Sequence, residues 1–216
     1  MKIPFFGLNR QYVYLKDELL DATDSVLSTG HLMAGRFTEE FEDWLEKKNH
    51  SKHAIVCHSG TQALEIIAKY WYIGFQDNSQ DTVAHVPTLT FPATANSFIN
   101  SGWKLNLVDC NDFGQSTFEH EKQNSGIFVR VGLYGAAISS HNSKHILIED
   151  GAQHWLSNNC KRIGHSTAIS FDPTKNLPGT GNGGAIVTND DELNIWAKEY
   201  QNHGKFEHNL TGTNSR

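Results

Sequence analysis

This chain of 216 residues has only three cysteines, and it lacks both an excess of basic residues and long hydrophobic runs. Its cysteines, Cys57, Cys110 and Cys160, are far apart and have no C-x-x-C spacing. This argues against a disulfide framework and a zinc knuckle, and favours a reducing compartment. No apolar run is long enough for a membrane span or a signal peptide. We therefore expect a cytoplasmic protein with no membrane partner.

The charge balance excludes another class of partner. The chain has 18 Lys and Arg residues against 24 Asp and Glu, a net charge of −6. This gives no general attraction to nucleic acid or to an anionic membrane. The 12 histidines are scattered and form no H-E-x-x-H motif. Surface and hydrogen-bonding roles are therefore favoured over a metal site.

The first 50 residues are predicted to be a helical segment. Apolar residues from Tyr12 to Leu27 fall near helical spacing, and Gly30 follows as a stop. Thr38 is a candidate cap for a second helix, because the acidic residues that follow it suit the positive end of the helix dipole.

Residues 51–203 alternate between short β-branched runs and helical stretches. Strands that are apolar on both sides and separated by helices indicate a parallel sheet covered on both faces. The glycine-rich stretch after residue 171 is too short for a crossover helix, so at least one connection is antiparallel or irregular. The sequence predicts an α/β fold with a mostly parallel, mixed sheet sandwiched by helices. The predicted strands are 54–57, 82–86, 104–108, 127–131, 146–148, 168–171 and 185–187, and the helices are 61–73, 93–100 and 190–201.

Unusual polar or aromatic residues follow four of these strands, where ligands bind in open α/β sheets. Gly60 and Thr61 can bind a phosphate at a helix N-terminus or form a plain turn. Asp150 is a carboxylate at a pocket or only a helix cap. Lys175, before a glycine-rich run, is a candidate Schiff-base lysine, whereas Phe91 alone is more typical of a core. Together they supply what pyridoxal 5'-phosphate (PLP) needs: a lysine, an acid for the ring nitrogen, phosphate donors and a flat partner for the ring.

Eight motifs in order carry a resemblance to a known family. They run from IPFFGLNRQY through TGHLMAGRFTEEFE, SGTQALE, VPTLTFPATANS, VGLYGA, IEDGAQHW and SFDPTKNLPGTGNGGAIVTND to NHGKFEHNLTGTNSR. The chain thereby resembles, over essentially its whole length, the sugar aminotransferases of the DegT/DnrJ/EryC1/StrS family. EDGAQ and SFDPTKN are the most specific of these motifs. The resemblance implies an aspartate aminotransferase-like large domain of a fold-type I PLP enzyme.

The resemblance also implies roles at the cofactor ring. Lys175 matches the lysine that forms the Schiff base with PLP and moves protons during transamination. Asp150 matches the acid that keeps the pyridine nitrogen protonated, so that the ring can accept electrons. Gln153 is expected to reach the ring oxygen, and Phe91 to stack on the ring face.

Four further residues match the family's phosphate site. The backbone of Gly60 and Thr61 and the hydroxyl of Ser170 are expected to bind the cofactor phosphate. Asn214 matches a residue that reaches across a dimer to the partner's cofactor phosphate. The resemblance therefore implies a homodimer with shared active sites. The loop 179–184 is expected to let the backbone pass near Lys175, whereas a loose turn would tolerate Gly→Ala changes.

The family resemblance implies a reaction and a missing part. Its members transfer an amino group, expected here to come from glutamate, to a keto group of a nucleotide-linked deoxysugar for polysaccharide or aminosugar biosynthesis. Relatives continue past the NSR motif into a C-terminal domain, so residues 1–216 are expected to form the PLP-binding large domain, with 204–216 as the tail that leads to an absent domain. The alternative is a catalytically incomplete PLP-binding or dimerisation module that needs a second polypeptide.

Overall fold

The computed structural model describes residues 3–77, 82–117, 125–136, 145–156, 164–205 and 211–216. These residues form a helical N-terminal segment followed by alternating strands and helices. The helices are α1 (Leu8–Leu27), α2 (Arg36–Asn49), α3 (Gly60–Asp77), α4 (Pro92–Ser101) and α5 (Asp191–Tyr200). The strands are β1 (His53–Cys57), β2 (Val83–Pro87), β3 (Lys104–Val108), β4 (Ile127–Val131), β5 (Ile146–Asp150), β6 (Ser166–Ser170) and β7 (Gly184–Thr188).

The strands form one mixed sheet in the order β1-β7-β6-β5-β4-β2-β3. Neighbours from β6 to β3 are parallel, whereas β7 lies antiparallel to both β6 and β1. The run between β6 and β7 was predicted to be too short for a parallel crossover, and the antiparallel pairing confirms this. The predicted α/β class with a mostly parallel, mixed sheet is confirmed.

Helices cover both faces of the sheet. On one face, Ile66 and Ile67 of α3 and Phe98 of α4 are fully buried against the strands. On the other face, Leu45 of α2 packs with Trp155 and the strand residues around it. The strands therefore have both faces covered by helices, which explains why they are hydrophobic on both sides.

The structure corrects the predicted starts of the first two helices. α1 begins at Leu8 rather than Tyr12, and none of its residues is buried. The predicted cap at Thr38 is wrong: Gly35 is the N-cap of α2, and the Thr38 N–H already donates to the Gly35 carbonyl in the first turn (2.8 Å).

The ends of two strands also differ from the prediction. β5 continues past residue 148 to Asp150, because β4 and β6 offer backbone partners as far as that residue. β6 ends at Ser170, and Phe171 instead packs in the cluster beneath α2. Asp150 is thus held by the sheet itself.

Two further features are the state of the cysteines and the character of the helices. Cys57 and Cys110 are free, and Cys160 lies outside the described residues. Among the described residues, no helix combines the length and apolar character needed to cross a membrane.

Candidate functional site

A cavity of about 350 Å³ opens at the carboxyl ends of the central strands. Its size lies within the range of roughly 300–1,000 Å³ that small-molecule sites occupy. Seven of the eight residues that the sequence singles out line this cavity, and Asn214 does not. The seven are Gly60, Thr61, Phe91, Asp150, Gln153, Ser170 and Lys175.

The first turn of α3 and the end of β6 form one wall. A Cβ at Gly60 would lie 2.7 Å from the Cβ of Ser170, so only glycine lets the helix start this close to the strand. The first N–H groups of an α-helix have no intrahelical partner, and those of Gly60 and Thr61 begin α3 beside the Ser170 hydroxyl. This wall has the donors that an anion requires.

Asp150, the last residue of β5, lines the same cavity and is 5% exposed. Its Oδ2 accepts a hydrogen bond from Thr94 Oγ1 (2.7 Å), and its Oδ1 accepts one from the Ala152 N–H (3.1 Å). Burial raises the pKa of the carboxyl, while these hydrogen bonds and the charges of His154 and Lys175 oppose that rise. The following residues, 152–156, form turns rather than a helix, so Asp150 is not a helix cap.

Lys175 and Phe91 are neighbours in the lining of the cavity. The Lys175 Nζ lies 6.0 Å from the centroid of the Phe91 ring. Phe91 is 64% exposed, although an isolated phenylalanine at this position was expected in the core. It immediately precedes α4, and this position keeps its ring available to stack on a flat ligand.

Gln153 is oriented by an unusual turn after β4. Its Oε1 accepts a hydrogen bond from the Tyr134 N–H (2.5 Å). Tyr134 has a φ of 57°, in the left-handed region that bulky residues rarely adopt. Because Oε1 is engaged, the Nε2 of Gln153 is left to donate to an acceptor in the cavity.

Asn214 lies near the cavity but outside it. The Ser215 carbonyl accepts a hydrogen bond from the His58 N–H (3.2 Å), which ties the tail to the end of β1. Asn214 is exposed and pairs through its backbone with Asn202. Its expected role across a dimer stays a prediction.

The tightest approach of the glycine loop is at Gly184, and its expected passage near Lys175 stays a prediction. A Cβ at Gly184 would overlap the backbone of Ser59, whereas a Cβ at Gly181 would meet open space. Gly184 therefore packs tightly against Ser59, the residue before α3. No atom of Lys175 is among the atoms nearest to these glycines.

Sequence reasoning missed three polar residues of this region. Thr94, fully buried, donates to Asp150. Asp172 lines the cavity, and hydrogen bonds from the Thr174 side chain and backbone lower the pKa of its carboxyl. His154 is 1% exposed, and its ring lies against Gly132, which lines the cavity. Of these three residues, only Asp172 could have been found from the sequence. An Asp followed two residues later by a Thr is typical of an Asx-turn, in which the Asp side chain accepts a hydrogen bond from the backbone.

Two other chemistries find little support. Burial raises the pKa of the Cys57 thiol to about 12, so this cysteine at the end of β1 is a core residue rather than a nucleophile. Among the described residues, no group of three or more His, Cys, Asp or Glu side chains is arranged to hold a metal ion. His141 and His145 have the spacing of metal ligands on a helix, but His141 lies outside the described residues.

Sequence comparisons relate the chain to two curated proteins. The chain is 31% identical over 235 residues to the "pleiotropic regulatory protein" of Geobacillus stearothermophilus, covering 100% of this chain and 62% of that protein. It is also 31% identical over 236 residues to a UDP-2-acetamido-2-deoxy-3-oxo-D-glucuronate aminotransferase of Pseudomonas aeruginosa, covering 99% and 64%. The chain thus spans about three fifths of the length of these curated relatives.

A solved structure and a family model extend the comparison. The crystal structure of NtdA from Bacillus subtilis with bound cofactor PMP matches with a TM-score of 0.80 and 27% identity, over 100% of this chain and 53% of that one. A sequence model of the DegT/DnrJ/EryC1/StrS aminotransferase family matches residues 13–124 and 131–216. The chain therefore belongs to the DegT/DnrJ/EryC1/StrS aminotransferase family.

Proposed function

We propose that the chain binds PLP in this cavity and forms the cofactor half of an aminotransferase that acts on nucleotide-linked sugars. The observation that carries the proposal is that Lys175 and the buried Asp150 carboxylate line one cavity with the first N–H groups of α3 and the Ser170 hydroxyl. PLP supplies an aldehyde that links to an amine and a ring that withdraws electrons from it. Lys175 has the amine that this linkage requires, and its Nζ is the atom that moves protons near the substrate carbon.

The remaining residues fit the cofactor in complementary ways. Asp150, which accepts hydrogen bonds from Thr94 and Ala152, holds a proton on the ring nitrogen. Gln153 donates through Nε2 to the ring oxygen, and Phe91 packs on the ring face. The start of α3 and the Ser170 hydroxyl bind the phosphate.

The substrate assignment comes from relatives. The Pseudomonas aeruginosa relative is named for a UDP-linked 3-oxo sugar, and one from Streptomyces venezuelae is a dTDP-3-amino-3,4,6-trideoxy-alpha-D-glucose transaminase. We propose a nucleotide-linked keto deoxysugar as acceptor and glutamate as donor, for polysaccharide or aminosugar synthesis. The free Cys57 and Cys110 favour the cytoplasm as the compartment.

We also propose that a second chain completes the site. Large apolar side chains are exposed on the N-terminal segment, such as Phe5 (94%) and Tyr14 (85%). An exposed apolar surface of this kind is typical of an interface with another chain. In a homodimer, Asn214 of one protomer would contact the cofactor phosphate of its partner.

A second candidate is a PLP-binding or dimerisation module without turnover. One observation favours it: the chain covers 62% of a relative named as a regulatory protein rather than as an enzyme. The two candidates share the cofactor site and differ in whether glutamate reacts there.

The visible absorption spectrum of the chain with PLP, after desalting, tests the proposal. We expect a retained band that is lost in Lys175→Ala and kept in Lys205→Ala, a control at an exposed position outside the cavity. Bleaching of the band by glutamate supports the aminotransferase, and a stable band supports the module. The absence of any retained band in the wild-type chain would refute both.

A further inference from the structure

The turn that carries Lys175 is closed by the residue at its start. Asp172, Pro173, Thr174 and Lys175 form a β-turn in which the Lys175 N–H donates to the Asp172 carbonyl (2.8 Å). Aspartate at the first position and proline at the second are favoured in such turns, because proline already has the φ angle that the second position needs. Lys175 is the last residue of this turn, so the turn fixes the backbone from which its side chain extends.

The carboxylate of Asp172 adds a second closure inside the turn. Its Oδ1 accepts hydrogen bonds from the Thr174 N–H (2.9 Å) and from Thr174 Oγ1 (2.5 Å). The shorter distance is typical of a hydroxyl that donates to an ionised carboxylate. The bond from the hydroxyl, followed by the bond from the N–H, holds the pKa of Asp172 below its usual range, which agrees with an ionised acceptor. One residue therefore binds the two that follow Pro173, through its side chain and through its carbonyl.

Hydrogen bonds also tie the backbone on both sides of Lys175 to other parts of the cavity lining. Before the lysine, the Asp172 N–H donates to Ser170 Oγ (3.3 Å). Because the Ser170 oxygen accepts this bond, its O–H remains available to donate to another group. After the lysine, Asn176 Nδ2 donates to the Gln153 carbonyl (3.1 Å). Ser170, Gln153, Asp172 and Lys175 all line the cavity, so the turn is part of the same frame as the site.

The proposed cofactor roles use the Lys175 amine but leave Asp172 without a part. A lysine side chain is long and flexible, and a displacement of about 1 Å at a reacting group can cost about a hundredfold in rate. We propose that Asp172 is a positioning residue that holds Lys175 in the cavity through the turn it closes. It acts through Thr174 and the lysine backbone rather than by touching a ligand. This inference rests on the proposed function only in the use that Lys175 makes of its position.

Amide hydrogen exchange, measured by NMR on ¹⁵N-labelled chain without cofactor, tests the turn. Asp172→Ala removes the carboxylate but leaves the carbonyl to which the Lys175 N–H donates. The Lys175 amide therefore exchanges faster only if the carboxylate holds the turn closed. We expect an increase of at least about tenfold, the equivalent of one hydrogen bond to a charged group. An unchanged Lys175 amide would overturn the inference.

Three further variants make this test specific. Asp172→Asn keeps an oxygen that can accept from Thr174, so its Lys175 amide should exchange at a rate closer to the wild type than to Asp172→Ala. An asparagine variant as fast as the alanine variant would contradict a role of the turn. Asp190→Ala is the matched control, because the Asp190 side chain also accepts from two N–H groups but lies outside the cavity, and the Lys175 amide should not respond to it. If Asp172→Ala does not fold, Thr174→Val decides: it removes the hydroxyl donor, and an unchanged Lys175 amide in this variant overturns the inference.

A second readout measures whether Lys175 is correctly placed. PLP is mixed with each chain, the linkage is reduced with borohydride at timed intervals, and modified Lys175 is counted by peptide mass mapping. We expect Asp172→Ala to link at least about tenfold more slowly than the wild type and Asp172→Asn to recover most of the rate. Acetylation of Lys175 by acetic anhydride, which needs no bound geometry, should not be slowed in either variant. Slower acetylation in Asp172→Ala would show a loss of amine reactivity and overturn the positioning role.

The two readouts separate this inference from the proposed function. A wild-type chain that forms no linkage at Lys175 would refute the proposed function, while the exchange of the Lys175 amide still decides whether Asp172 holds the turn. An unchanged linkage rate in Asp172→Ala, with the wild type linked at Lys175, would contradict the positioning role.

Discussion

Thr94 is the most informative residue to change, because its hydroxyl is one of two neutral donors to the Asp150 carboxylate. In Thr94→Val the shape is kept and the 2.7 Å hydrogen bond to Oδ2 is lost, leaving the Ala152 N–H at 3.1 Å. Thr94 is fully buried, so water has no direct access to replace the hydroxyl. A hydrogen bond to a charged group contributes about 1.5–3 kcal/mol.

This loss falls on the ionised form of Asp150, the form that would hold the cofactor ring under the proposed function. A cost of about 2 kcal/mol corresponds to about thirtyfold in an equilibrium constant. We therefore expect Thr94→Val to bind PLP at least about tenfold more weakly in an absorbance titration. The control is Thr188→Val, which removes an equally buried hydroxyl that bonds the neutral His165 carbonyl at 2.7 Å, outside the cavity.

The same substitution has a signature in the chain without PLP. Burial already raises the pKa of Asp150 in the folded state, so its contribution favours folding below the unfolded pKa and is lost as pH rises through the folded pKa. Valine raises the folded pKa further. Urea unfolding should show a penalty for Thr94→Val that grows from acidic to neutral pH. PLP affinity within about twofold of the wild type, together with a penalty that does not change with pH, would refute the reasoning.

Three other changes test separate parts of the structure. Asp150→Asn should unfold at a higher temperature than the wild type at pH 7 without PLP, because a buried charge is removed, and should gain no stability from PLP in calorimetry; a lower melting temperature would contradict the burial argument. Gly184→Ala should lose about 1–3 kcal/mol in urea unfolding by overlap with Ser59, while Gly181→Ala, facing open space, changes stability by under about 0.5 kcal/mol; equal losses would count against the tight contact. Asp190→Ala should cost about 1 kcal/mol, since its side chain accepts from two N–H groups of α5, and no measurable cost would show that water replaces this cap.

The sequence predicted the parts of the site that lie at strand ends. Lys175 and Asp150 follow or end apolar strands, so the alternation of strands and helices was enough to place them at one edge of the sheet. Thr94 was out of reach, because its contact with Asp150 joins residues 56 positions apart. Nothing in the sequence near Thr94 marks a donor to a carboxylate on another element.

The errors in the fold have local causes. Thr38 is a residue type that favours the N-cap position. However, Gly35 adopts the extended conformation of an N-cap, so α2 begins at Arg36, two residues before Thr38. Residues beyond 148 were left out of β5 because Glu149 and Asp150 are charged, and charged residues are rare in buried strands. The hydrogen bonds that make these carboxylates tolerable join them to His154 in the turn after β5, to Thr94 in α4 and to Thr167 in β6.

The position of β7 determines when parts of the sheet can form during synthesis of the chain. β1 has β7 as its neighbour in the sheet, and the Lys52 N–H reaches the Asn189 side chain across 137 positions. During synthesis from the N-terminus, β1 and the start of α3 must wait without a lateral partner until β7 emerges. The cradle around Ser59 and Gly60, which also needs Ser170 and Gly184, is therefore assembled among the last parts of the sheet. A nascent chain therefore completes the phosphate site of the proposed function only after β7 has left the ribosome.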